Sequence, residues 1–541
     1  MVVFPLFMTD SYFNIQESKM YCFLYSTMAA AGLILTIAVV GRLRGVPWDK
    51  TAEKGSFRSR FKKSMMPADW FAALFLIVVV FSTACSEWKY EAFWGNMGRW
   101  QGCFLLSWYV VAYVLISRFY QPKQWHMDLF IAVGLVVCVW GVLDCFWKSP
   151  IGWQVERGAV NEKALDFSST IGNVNVLTAV EGMYLMAVSA MFIGAEPEDR
   201  YYTPRRILYY LTACSAFMGL VCGCSDNALI SAAAAVCFLP FFAFRSMKSI
   251  VRYAALLMGY IGTMLLTGLI GRREGQKVVI RWKWGKLLEI SIEHPGIVQK
   301  LFLAALALLA VMALMYLVIM KKQGSDAVPS TGRQTSITAP WKYAKPLRIV
   351  WASLGALAAC ALIWVFYDAN HGGHPELYAP YRKFLIFDDA WGTHRGYNWR
   401  LAMKYIRDFP LYKKLLGSGP ETYGIYTHVY DHYAMIDMFE ETYDSPHNEW
   451  LQYLFTTGIL GFVGYYGLVK CALWSGFGNG RKTVKVGAGY VGVALMGVAF
   501  AYALQAYTLQ SFVNISIPVI IPMVFLSIGV CVAVGRQLLD E

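Results

Sequence analysis

The stretch DSPHNEWLQYLFTTGILGFVGYYG (Asp444–Gly467) opens on polar residues and runs without a break into apolar sequence dotted with glycine. A run of that composition is long enough to cross a bilayer, so His447 and Asn448 stand where a membrane helix begins. An ionisable side chain at that boundary has two readings. It finishes a helix end, with Asp444 or Ser445 as cap and Pro446 in the first turn, or it faces the chemistry of the interface.

Similar apolar runs recur at about 20–41, 68–85, 102–117, 127–147, 174–194, 207–223, 227–244, 253–270, 301–320, 349–367, 449–473, 486–510 and 514–535. Of the 541 residues, 57% are hydrophobic and 15% charged, which excludes an ordinary soluble domain. The expected fold is an all-α polytopic integral membrane protein with about 12–13 transmembrane helices. The N-terminal "MVVFPLFMTDSYFNIQESK" has no basic start followed by an apolar core, so no cleavable signal peptide is expected. No internal repeat stands out. Most of the 12 cysteines lie within apolar runs, where they act as small hydrophobes, and no zinc-type CxxC pairing is visible.

The net charge of +13 does not point to nucleic acid, because its location decides otherwise. The loop RLRGVPWDKTAEKGSFRSRFKKSMM carries eight Lys and Arg against two acids. RSMKSIVR, KKQGSDAVPSTGRQTSITAPWKYAKPLR and GRKTVK are also basic, and alternating spans put all four on one side. By the positive-inside rule that side is cytoplasmic. The loop 369–448 is then a large extracytoplasmic domain between an N-terminal transmembrane bundle (1–368) and C-terminal transmembrane helices (449–541). It holds six of the eight histidines. The segment 271–300 is basic yet external, against the rule; Trp282 and Trp284 within it suit an interfacial anchor.

The spacing His447, Asn448, nine residues, Gly458, two residues, Gly461, placed after a large external loop, resembles the O-antigen ligase and O-antigen polymerase superfamily. HRGYNWRLAMKYIRDFPLYKKLLGSGPETY is similar to that family's loop signature, with Arg395, Trp399, Pro410, Gly417 and Gly419. Gly172, Asn173 and Asn175 resemble its Gly-Asn-x-Asn element opening the fifth span, and GRWQG (98–102) resembles an element near its third. Many members carry Ser-Arg entering a middle span, where this chain has Ser225 and Asp226.

The resemblance implies a metal-independent membrane glycosyltransferase of the bacterial cytoplasmic membrane, without cofactor. Its donor would be a glycan on polyprenyl (undecaprenyl) diphosphate, and its acceptor a glycan, lipid or cell-wall component. Outside the cell there is no nucleotide pool, so an activated sugar has to arrive on lipid diphosphate. Arginine suits that leaving group, because its guanidinium fork binds phosphate oxygens bidentately and stays charged. Histidine titrates near neutrality and can take the acceptor hydroxyl's proton. Arg395 and His447 are therefore the expected catalytic pair. Asn448, Asn173, Asn175 and Trp399 are expected to bind substrate, with Arg272, Arg273 and Arg281 replacing the arginine missing at Asp226.

Each assignment has a plainer counterpart. Arg395 would serve as a loop cation paired with Asp388 or Asp389, and Gly458, Gly461, Gly464 and Gly467 as close-packing positions. The histidines of HGGH (371–374) and HVYDH (428–432) have loose metal spacing but no visible third ligand, and read as solvated loop residues. Glu181, costly in hydrocarbon, is expected to face a polar cavity. A transporter or flippase of lipid-linked glycans is the competing function; it predicts paired broken spans in related halves, which the sequence does not display.

Overall fold

The computed structural model describes residues 2–9, 14–44, 65–96, 98–146, 148, 150, 169–195, 201–223, 225–273, 286–325, 341–482 and 491–538. Its long helices are α1 (Ile15–Leu43), α2 (Pro67–Cys85), α3 (Cys103–Phe119), α4 (Gln124–Cys145), α5 (Val174–Gly194), α6 (Tyr202–Cys222) and α7 (Asp226–Ala243). They continue as α8 (Met247–Arg273), α9 (Pro295–Ser325), α10 (Ala344–His371), α11 (Trp391–Asp408), α12 (Glu449–Lys482), α13 (Val491–Gln510) and α14 (Ile521–Gln537). Each expected span falls on one of these helices. Among the described residues, ten are long and apolar enough to cross a membrane, and α3 and α14 are shorter apolar helices. The protein is an all-α polytopic membrane protein.

The bundle is built around α5, in which every residue from Val176 to Gly194 is buried. It packs against α13, α6 and α7. At the other extreme α9 and α10 leave Leu303, Leu308, Leu317, Leu357, Leu362 and Ile363 more than half exposed. Such an apolar face is stable against hydrocarbon, not water.

The ends of the helices sort into two faces. Asp69 of α2 is bonded by Tyr113 (2.8 Å), Arg118 (3.3 Å) and Arg536, which gathers the starts and ends of α2, α3 and α14. Arg252 donates to the carbonyl of Ile193 at 2.8 Å, bringing the α7–α8 connection to the end of α5. On the opposite face the chain between α10 and α12 folds over the bundle as short helices, a cap whose core contains Leu401, Tyr405, Phe409, Tyr423, Tyr426 and Phe455.

The cap is held by a break in α12. Gly458 takes φ 65°, ψ −172°, a conformation essentially restricted to glycine. The break coincides with non-helical partners for carbonyls one turn earlier, and a carbonyl left unpaired at membrane depth costs on the order of several kcal/mol. Cap residues fill the gap: Ser418 and Gly419 donate their N–H groups to Phe455 O (3.1 Å) and Thr456 O (3.0 Å). The Ser82 hydroxyl of α2 adds a bond to Thr456 O at 2.8 Å. Further along α12, Gly464 meets the backbone of Phe75 and Gly467 the ring of Phe71, so these glycines serve close helix packing.

Candidate functional site

Where the cap meets the bundle, a cavity of about 490 Å³ is lined by Arg395 and His447, by Asn173 and Asn175, and by the segments 14–17, 98–100 and 513–519. Residues far apart in sequence thus converge at helix ends on the cap face.

Arg395 reaches the cavity through an unusual turn. Gly392, Thr393 and His394 all have left-handed backbone (φ 58°, 58° and 66°), and regular helix starts only at Arg395. For Thr393, a β-branched residue, that conformation is a genuine outlier. The Arg395 side chain is buried, and its Nη1 donates to Asp226 Oδ2 at 2.8 Å. The sequence offered Asp388 or Asp389 as plainer partners. The structure gives Asp388 to Arg382 at 2.7 Å and Asp389 to Arg400, leaving Arg395 to the first residue of α7.

His447 precedes α12 with φ 50°, its N–H donating to Ser445 Oγ at 3.2 Å. The helix cap is neither Asp444 nor Ser445 but Asn448, whose Oδ1 accepts from the N–H groups of Trp450 (2.9 Å) and Leu451 (3.1 Å). His447 therefore stands just outside the helix, free of the capping role. Burial, then the charges of Arg99 and Arg395, push its pKa down to about 4; Asp444 and Glu441 oppose them. The imidazole is neutral at any ordinary pH.

The remaining expected residues divide. Trp399 donates from Nε1 to Pro446 O at 2.9 Å, tying the helix of Arg395 to the loop of His447; it braces the pair without lining the cavity. Asn173 caps α5 through Asn175 N (2.9 Å) and Val176 N (3.4 Å). Asn175 Oδ1 accepts from Ser225 Oγ (2.6 Å) and its carbonyl from Asn227 Nδ2 (3.1 Å). The Gly-Asn-x-Asn element thereby positions the start of α7, hence Asp226, hence Arg395. Arg272 and Arg273 are the last two residues of α8. Arg281 lies outside the described residues, as do the tryptophans at 282 and 284.

Other features went unread in sequence. Arg99 of the GRWQG element pairs with Asp444, three residues before His447; the positive φ of Gly98 (92°) and Trp100 (57°) shows why the segment turns there. Glu421, buried at φ 58°, has its pKa pushed up to about 7 by burial, with Asp444 adding to the rise and Arg99 opposing it. Glu181 does not line the cavity: it is fully buried against Gly219, whose missing side chain makes the room. The rings of His428 and His432 meet at 4.8 Å, and among the described residues no three His, Cys, Asp or Glu groups are arranged to hold a metal ion.

No curated protein sequence matches the chain. Residues 278–466 match the family model described as O-Antigen ligase, a segment that contains Arg395, Trp399, His447 and Gly458. The match spans 189 of the 541 residues, and together with the all-helical membrane fold it supports a likeness to the O-antigen ligase/polymerase superfamily.

Proposed function

We propose that the cap-face cavity transfers a glycan from polyprenyl (undecaprenyl) diphosphate to an acceptor hydroxyl at the outer face of a bacterial cytoplasmic membrane. The matched O-antigen ligase family implies glycosyltransferase-type activity on lipid-linked glycans. The observation that carries it is the convergence of Arg395 and His447, 52 positions apart, on one cavity at the membrane boundary.

The chemistry follows from the two side chains. His447, held neutral, accepts the proton of the acceptor hydroxyl as that oxygen bonds to the anomeric carbon. The bond from that carbon to the diphosphate oxygen breaks, the electron pair leaves with the diphosphate, and attack from the opposite face inverts the anomeric centre. Arg395 neutralises charge on the leaving oxygens; to do so it exchanges Asp226 for phosphate. An apolar groove of about 700 Å³ beside Leu362, Phe366, Leu385 and Phe387 offers a prenyl chain a route along α10. Phe387 in turn touches Trp399, one turn from Arg395.

The acceptor is another lipid-linked glycan in a polymerase, or a lipid or wall component in a ligase. The competing transporter reading predicts movement without turnover. The test is a transfer assay with purified protein and labelled polyprenyl-diphosphate glycan. Wild-type protein should release polyprenyl diphosphate and extend the acceptor, whereas His447→Ala should lose roughly 10²-fold or more, the usual worth of a general base. Glycan translocation in vesicles without product would establish the transporter instead.

A further inference from the structure

The wall built from the start of α1 and the 511–520 segment is unlike the Arg395–His447 wall. Asn514 is 4% exposed. Its Oδ1 accepts from the N–H of Ile515 at 2.9 Å, which fixes the amide's orientation and leaves Nδ2 as a buried donor still to be satisfied. That Nδ2 has no partner among the described residues, and neither has the buried Oε1 of Gln16. Both residues line the cavity, together with Glu17 and the half-buried indole of Trp100. Buried polar groups are normally paired, so an unpaired donor and an unpaired acceptor on one cavity wall mark where a ligand's polar groups belong.

The chemistry of this wall selects a sugar. Amide donor, amide acceptor and carboxylate match hydroxyls, each of which both donates and accepts, and an indole offers an apolar face to ring C–H groups. Lys19, on the same helix as Gln16 and Glu17, spends its ammonium on the carbonyls of Phe4 and Pro5, at 2.8 Å each. Glu17 stands on this wall, while Arg395 across the cavity is engaged by Asp226 and, in the transfer reaction, by the diphosphate, so an anionic sugar is disfavoured here. The ring attached to the diphosphate must lie beside Arg395 when the diphosphate does, and this is the polar wall available to it.

We propose that Gln16, Glu17, Trp100 and Asn514 form a subsite for a neutral sugar, the lipid-proximal residue of the donor, held with its anomeric carbon toward Arg395 and His447. The inference rests on the transferase reading above for which sugar is held, but the subsite itself is testable by binding.

The experiment uses full-length protein in detergent and two probes: polyprenyl diphosphate carrying one neutral hexose, and polyprenyl diphosphate alone. Asn514→Ala and Gln16→Ala should each weaken binding of the sugar-bearing lipid about 5- to 50-fold, with the same rise in KM where turnover is measured. The affinity for bare polyprenyl diphosphate should stay within about twofold. Glu17→Gln should narrow the preference for a hexose over the corresponding uronic acid by about tenfold. Equal weakening of both probes, no weakening of either, or an effect confined to the acceptor's KM overturns the subsite. A wild-type protein that binds the sugar-bearing lipid with this discrimination but transfers nothing would sink the transferase reading and keep the subsite. Melting temperature is followed for each variant, and the two alanine substitutions on separate segments guard against a misfolded one.

Discussion

Arg395 Nη1 lies 2.8 Å from Asp226 Oδ2, so the guanidinium that lines the cavity is already engaged by a carboxylate, at the position where the resemblance led to an arginine. An incoming diphosphate has to compete with Asp226 for the same fork. The pair is only partly shielded, with the two side chains 11% and 29% exposed, so its strength is modest. Removing the charge but keeping the shape, as in Asp226→Asn, should lower the donor KM roughly fivefold, equivalent to about 1 kcal/mol. Initial rates against donor concentration read this directly. A raised KM would mean that Asp226 chiefly holds Arg395 in place.

Gly458→Ala should detach the cap. An added Cβ would fall 2.4 Å from the carbonyl of Leu415 and 2.6 Å from the N–H of Gly417, on a backbone conformation open only to glycine. Conformational strain alone is on the order of 1–3 kcal/mol, and the Ser418 and Gly419 hydrogen bonds would be lost with it. Transfer should fail, and a protease should cut the cap at lower temperature. Gly478→Ala on the same helix has open space around it and should behave as wild type in both measurements.

The positions of the spans were legible because each is a long apolar run, and a bilayer requires such runs. Their ends were less so: α14 starts only at Ile521, after a polar turn through Asn514 and Ser516 that hydropathy absorbs into a span. His447 and Arg395 could be picked out by type and spacing. Their partners could not, because Asp226 lies 169 positions from Arg395 and Arg99 lies 345 from Asp444. Pairings at that separation follow from how α3, α7 and the cap stack, and no local pattern encodes them. The same holds for Asn448 and Asn173, whose caps become visible only once the helix starts are fixed.

Sidedness can be read by labelling. Tyr433 is exposed on the cap and Leu43 at the opposite end of α1. With the exposed Cys85, Cys237 and Cys360 replaced by serine, Tyr433→Cys should react with an impermeant maleimide in right-side-out vesicles. Leu43→Cys should react only after permeabilisation. The reverse pattern would put His447 in the cytoplasm and remove the need for a lipid-borne donor.

The last expectation concerns proton affinity at His447. A general base works in its neutral form, and an ordinary histidine with pKa near 6.5 would be only about one-tenth neutral at pH 5.5. With the pKa pushed down to about 4, His447 stays almost wholly neutral there. The donor's diphosphate ester keeps its oxygens ionised over this range, so the acid limb of kcat/KM against pH reports the histidine. It should lie near pH 4 to 5 in the wild type, with activity at pH 5.5 close to that at pH 7. Burial is the larger cause of the depression and Arg99 the next. Arg99→Gln removes a repelling charge and leaves Asp444 unpaired beside the ring, and both changes favour the imidazolium. Its acid limb should therefore move upward, toward neutrality, while the rate at pH 8 falls far less than at pH 5.5. If the wild-type limb sits at 6.5, or Arg99→Gln lowers the rate equally at every pH, the base is some other group and Arg99 acts on the substrate directly.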